Sequence, residues 1–441
     1  MLTLVLGGLL LGQAVAPCAA AAQSPFSSSE GERLSLEEAT SRALRQNLDV
    51  RLARADTGFA QAGLVGSRLR PSPSLAAEGL SNGDFRLSLT QELQLWGLRG
   101  NRIRAAALEQ ERIRYTALDI DRLARREVTT AYREVLFLNE RVALLDSLAR
   151  LNQRIARAAT LAVEQGLGSE LDSRLSFASW QQSMLDRDVT ARLLVIQQIQ
   201  LARLLGDSLS TVYRLTDSLP VSDLRFLTSL PPDSGVLIPT RFTPDQTAVD
   251  TLVQLALSQR PDVRAAETDV EAQQASLTAA RSAGKPSLAV GAIYARNLDD
   301  VAGGAQQKTI TDNGFGLGLV LGLPIWNRNQ GEISRAQFAG AAAVLRLAGV
   351  RQALERDVRV AVQRAAAAAS QVETLRSTIL PSNQAALRLG EAAFERGQLN
   401  ILQVLQVRGA YVESITALLE ATREFAAALA ELEAAVGSPV Q

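Results

Sequence analysis

From Asn101 to Gln165, 65 residues (165 − 101 + 1) lie between Gly100 and Gly166 without one Gly or Pro. The stretch predicts an unbroken helix, roughly 100 Å long from the rise per residue. Val128, Ala131, Val135, Leu138, Val142 and Leu145 follow a 3/4 spacing, and Leu144, Leu148, Leu151, Ile155 and Ala162 trace a second seam on an adjoining face. Two seams imply two neighbours, as in the wall of a helical cylinder. An ordinary coiled-coil rod, which needs one seam, is the alternative on this pattern.

The rest of the chain repeats itself. Ala43–Arg51 aligns with Ala256–Arg264 at an offset of 213 (256 − 43), and Pro73-Ser74-Leu75 aligns with Pro286-Ser287-Leu288 at the same offset. Beyond the strands the offset grows to 230 (326 − 96, Trp to Trp) and then 231 (397 − 166, Gly to Gly). The expected organisation is repeat 1 over 34–206, a proline-rich linker or irregular belt over 207–247, and repeat 2 over 248–437. Each repeat reads helix, β-hairpin, helix, helix.

In repeat 1 a helix from about Leu36 stops near Pro71 and Pro73. Strands are expected at 74–79 and 85–93, joined by the turn sequence Ser81-Asn82-Gly83-Asp84, with helices at 101–165 and 169–205. In repeat 2 the strands are expected at 287–296 and 315–323, and the helices at 332–396, kinked by Pro381, and 401–436. The 17-residue difference (230 − 213) falls in the connection Asn297–Asn313. Phe85, Leu87, Leu89 and Leu93 alternate with polar residues, and Phe315, Leu317, Leu319, Leu321 and Leu323 alternate mostly with glycines. Four two-sided strands are too few to close a barrel. Three copies would give twelve, with lipid outside and water inside; a small soluble sheet capping a helical rod is the other reading.

Composition narrows the chemistry. Lys+Arg and Asp+Glu balance at 46 each, which gives no basic surplus for nucleic acid. There is no His and one Cys, which removes His general bases and the common zinc sets. No phosphate-cradling glycine loop is present. The expectation is a protein that is not an enzyme, with no catalytic, cofactor-binding or metal-binding residues.

Met1–Ala16 carries no charged side chain and is followed by Cys18-Ala19-Ala20-Ala21-Ala22, the pattern of a secretory signal peptide over 1–22. Val15-Ala16-Pro17-Cys18 also looks like a lipoprotein box, with Pro17 where a small residue is usual, so Cys18 is either lipidated or removed. After it no apolar run of about 18 residues occurs, and any membrane crossing must be made by strands.

Ile379-Leu380-Pro381, Ala392-Ala393-Phe394-Glu395-Arg396-Gly397 and the Leu-Leu-Gly ending at Gly206 resemble, in this order, the outer-membrane efflux protein family, the TolC-like channels. Leu323–Gly331 is similar to the strand-to-helix junction of that family's heavy-metal cation efflux branch. The resemblance implies a mainly α fold with a small β part: a long α-helical barrel continued by a trimeric twelve-stranded transmembrane β-barrel. It implies a passive exit duct in the outer membrane that extends into the periplasm and works as a homotrimer. Its partners would be a periplasmic adaptor and an inner-membrane transporter of the RND type, in a tripartite pump. Multidrug efflux, type I protein secretion and a periplasmic coiled-coil adaptor are the alternatives.

The resemblance places the turns Gln165-Gly166-Leu167-Gly168 and Arg396-Gly397-Gln398 at the periplasmic tip, as adaptor contacts. Equally, each is a helical hairpin needing positive φ at its glycine. Asp172, six residues past Gly166, is a gate candidate by the same resemblance; after Gly397 the matching position is Gln403, where the family would carry a carboxylate. Trp96 and Trp326 occupy matching junctions, as interfacial anchors or as corner packing.

Overall fold

The computed structural model describes residues 32–79, 85–166, 168–217, 246–301, 308–396, 398–399 and 401–437. The expected signal peptide with Cys18, Leu167 and Gly397 of the two turns, and most of the 207–247 segment lie outside them.

The chain is mainly helical with a small sheet. Strand β1 (Glu32–Leu34) leads into α1 (Leu36–Gln46) and α2 (Leu48–Arg68), then β2 (Ser74–Gly79) and β3 (Phe85–Leu93). Helix α3 (Leu98–Glu164) is followed by α4 (Glu170–Leu205) and β4 (Tyr213–Leu215). The second half runs α5 (Gln246–Gln259), α6 (Pro261–Ala283), β5 (Ser287–Val301), β6 (Lys308–Gly322), α7 (Gln330–Thr374), a π-helical turn (Leu375–Ile379), α8 (Leu380–Glu395) and α9 (Ile401–Val436).

Helix α3 has 67 residues, about 100 Å of helix. It packs on α2 and α4 and also on α6 and α9, and α6 and α9 pack in turn on α7. The helices thus form a wall. Val128, Tyr132, Val135, Leu201 and Leu205 anchor one core, and Val263, Leu354, Val358, Leu432 and Val436 another. Across the α3–α9 seam Arg141 and Arg423 flank the Phe137 ring at 5.9 and 5.2 Å, and Arg423 pairs with Glu134 and Glu420.

Three features differ from the sequence expectation, each for a local reason. The helix expected from Leu36 is broken at Asn47, whose side chain accepts from the Asp49 and Val50 amides and donates to the Leu204 carbonyl at 2.9 Å. This restarts the helix where α4 ends. The corresponding break in the second half falls at Arg260, before Pro261 at the first position of α6, and Arg260 donates to the Ala435 carbonyl at the end of α9. Second, the connection expected over 297–313 is strand in its described parts: β5 continues to Val301 and β6 starts at Lys308, pairing from Ser287↔Gly322 out to Val301↔Lys308. The insertion lengthens a hairpin. Third, the helix expected over 332–396 is interrupted just before Pro381 by the π-helical turn, where the Leu380 amide reaches back to the Leu375 carbonyl. A wide turn makes room for a ring that would otherwise meet the carbonyl four residues earlier.

Candidate functional site: the sheet, the wall edges and the glycine turns

The sheet order is β2-β3-β5-β6, antiparallel throughout, with β2 and β6 as edges among the described residues. The register aligns Leu75, Leu89, Ala292 and Leu317 in one row, and Ser74, Thr90, Gly291 and Gly318 in the next. Rows alternate between faces. One face is therefore mostly leucine and aromatic, and the other mixes Ser, Thr, Glu, Arg86 and glycines with alanines, Ile293 and Val320. Among the described residues the apolar face is largely uncovered, most of all on β6, where Phe315 is 86% and Leu317 94% exposed. Tyr294 packs on Phe315 at 5.0 Å between ring centres, and its hydroxyl donates to Asn313.

The wall has uncovered apolar edges too. On α2 Leu48, Leu52 and Phe59 are exposed, on α4 Leu185, Val189 and Ile196, and on α7 Phe338 and Leu345.

Where β1 meets β4, a polar clasp holds the wall. Their pairing is parallel, with Leu34 opposite Leu215. The Tyr132 hydroxyl lies 2.9 Å from the Leu34 carbonyl and 2.8 Å from the Asp217 carboxylate, which also accepts from the Leu36 amide. Arg42 bridges Glu32 and Asp207, and the Tyr213 hydroxyl donates to Asp207. Burial, then the carboxylate neighbours, hold both tyrosines well above the ordinary phenol range.

At the first glycine turn Gly166 has φ +71° and its amide donates to Val163. At Gly168 an added Cβ would stand 2.9 Å from the Ala162 Cβ, so the turn is closed by close approach of the two helices. Ser169 caps α4 by accepting from the Leu171 amide. Gln165 ends α3. At the second turn the Gln398 amide reaches the Ala393 carbonyl, the six-to-one bond of a Schellman ending, and Arg396 donates to Ala392. Asp172 is half-buried in the first turn of α4, with no ion pair among the described residues.

The two junction tryptophans differ. Trp96, at φ +58°, donates to the Pro286 carbonyl at 2.8 Å and carries Lys285 over its ring. Trp326 is 87% exposed. After it Asn329 takes φ +64° and donates to the Ala280 carbonyl, while Asn327 accepts from its amide. Sequence reading missed the Asn47 and Arg260 joints and the clasp; Pro261 was the one local signal for them.

Comparison with known proteins fits this architecture. A structure of CusC superposes with a TM-score of 0.71 at 18% identity, covering 91% of this chain and 92% of that one. The outer membrane protein VceC of Vibrio cholerae gives 0.70 at 16% identity, over 92% and 97%. The fold is that of these membrane proteins. The sequence profile of the outer membrane efflux protein family matches residues 252–438. The chain is also 26% identical over 381 residues to the cobalt-zinc-cadmium resistance protein CzcC of Cupriavidus metallidurans, covering 85% of this chain and 83% of the relative.

Proposed function

We propose that this protein is the outer-membrane exit duct of a tripartite efflux system and that its cargo is divalent heavy-metal cations. The observation that carries the duct is the sheet, with one largely exposed apolar face, one more polar face and, among the described residues, two unpaired edges, at the end of a long helical wall. Three copies, pairing β6 of one with β2 of the next, make a closed twelve-stranded barrel whose apolar face meets lipid. The same symmetry lays the exposed face of α7 on those of α2 and α4. Matching joints at Asn47 and Arg260 support duplication of one ancestral unit.

The glycine turns are then the far, periplasmic end. Gln165–Gly168 and Arg396–Gln398 are offered to a periplasmic adaptor, which links the duct to an RND-type inner-membrane transporter. Asp172 lines the closing gate. A wet bore selects little, so energy and choice of cargo reside in the partner, and the cation assignment rests on the likeness to CzcC.

The test is deletion of the gene in its host followed by growth on divalent cations, dyes, detergents and antibiotics. Sensitivity confined to cations is expected. Broad drug sensitivity would replace the cargo assignment with multidrug efflux, and loss of a secreted protein would replace it with type I secretion.

A further inference from the structure

The overall charge balance hides a segregation. Of the 46 basic residues only Lys285 and Lys308 are lysines, and the positions where the chain passes between sheet and wall are almost purely basic. Arg68 and Arg70 precede β2; Arg99, Arg102 and Arg104 follow β3. Arg281 and Lys285 precede β5; Arg328 and Arg335 follow β6. Across 62–73, 94–108, 276–287 and 324–336 the sole acid is Glu332, paired to Arg335.

Six of these nine side chains are not committed elsewhere among the described residues, whereas Arg99 donates to the Arg68 carbonyl, Arg335 pairs with Glu332 and Lys285 lies over the Trp96 ring. All but the half-buried Arg99 are exposed. Arg68, Arg70, Arg102, Arg104, Arg281 and Arg328 make no side-chain hydrogen bond or ion pair among the described residues. A charged face that merely solvates a helix carries both signs and i,i+4 pairs, as the rest of the wall does. The order along the chain adds the second observation: Leu319, Leu321 and Leu323 give way to exposed Ile325 and Trp326 and then Arg328, while Trp96 holds Lys285 against its ring. Apolar surface, then tryptophan, then cation is the profile of a surface crossing from hydrocarbon through headgroups into water.

We infer that the sheet-to-wall corner is a collar that binds anionic phospholipid headgroups, cardiolipin or phosphatidylglycerol, of the leaflet beside the helical wall. The inference rests on the membrane-barrel reading. Guanidinium forks suit phosphate oxygens, which they grip in pairs. Collected over three copies, the collar would hold the duct at one depth and orientation in the membrane.

The experiment reconstitutes the full-length protein into vesicles of phosphatidylethanolamine alone and with added cardiolipin or phosphatidylglycerol, then measures co-purifying lipid by mass spectrometry at low and high salt. Wild type should insert in both and retain the anionic lipid preferentially, the preference falling with salt. Each of Arg68→Gln, Arg70→Gln and Arg328→Gln should lower retention about fivefold. Insertion without anionic preference overturns the collar and leaves the barrel standing, whereas failure to insert anywhere overturns both. Should the three substitutions leave lipid retention intact and instead change the anion-to-cation permeability of single channels, the arginines line the bore and the collar is wrong. The salt dependence of the unaltered protein is the check that does not require the variants to fold.

Discussion

Asn47 joins two helices and two distant parts of the chain with one amide. Its oxygen satisfies the first amides of α2, and its nitrogen meets a carbonyl that α4 leaves without a helical partner. Asn47→Ala should lower stability by about 1–3 kcal/mol, read as a shift in the denaturation midpoint. Gly206 faces it with φ +77°, and an added Cβ would lie 2.6 Å from the Gln46 carbonyl oxygen. Gly206→Ala therefore combines left-handed backbone with a backbone clash and should cost more than about 2 kcal/mol. Tyr132 and Tyr213 give a pH signature. Burial raises both folded values above the unfolded phenol, so their stabilisation is complete below about pH 10 and is lost as pH rises further, where the unfolded tyrosines ionise. Stability should fall by up to about 1.4 kcal/mol per pH unit for each tyrosine, and Tyr132→Phe should remove one share of that slope.

The π-helical turn is an extra residue accommodated within one long rod. Contacts above and below it, Arg364 with Glu431 and Arg408 with Glu391, belong to a single α7–α8 face against α9. Deleting exposed Ser377 together with Pro381→Ala should restore a regular helix and keep both contacts in register, with thermal unfolding by circular dichroism little changed. Deleting Ser370 instead rotates everything beyond it by about 100° and should destabilise the fold strongly. Long helices and a small sheet were legible from the chain, because apolar period and Gly/Pro breakers act within a few residues. Asn47 was not, since its decisive partner lies 157 residues away. The longer hairpin was not either: 297–313 is polar and glycine-rich, and its strands are held by pairing with each other.

The described residues leave extended apolar faces uncovered, and that is where the proposed trimer is to be tested. Leu345 is 73% exposed on α7; Leu345→Glu should turn a detergent-solubilised trimer into monomer, read by light scattering, without loss of helical signal. Leu317→Arg on the apolar sheet face should cost about 2–4 kcal/mol of membrane stability, whereas Ser88→Arg on the polar face should be tolerated. Equal sensitivity of the two faces would contradict a barrel with lipid on one side.

By itself the sequence determined most of the elements and their order: hydrophobic period separates helix from strand, and prolines and glycines end each piece. Absence of His likewise narrowed the chemistry before any fold was known. Only the tertiary structure decided the β3–β5 pairing that joins the hairpins into one sheet, the parallel β1–β4 clasp, the joints at Asn47 and Arg260, and which faces remain bare. Backbone sterics and local hydrogen bonds are written into neighbouring residues, but a carbonyl left open at a helix end, or a leucine left without cover, is defined only by what the rest of the chain brings to it.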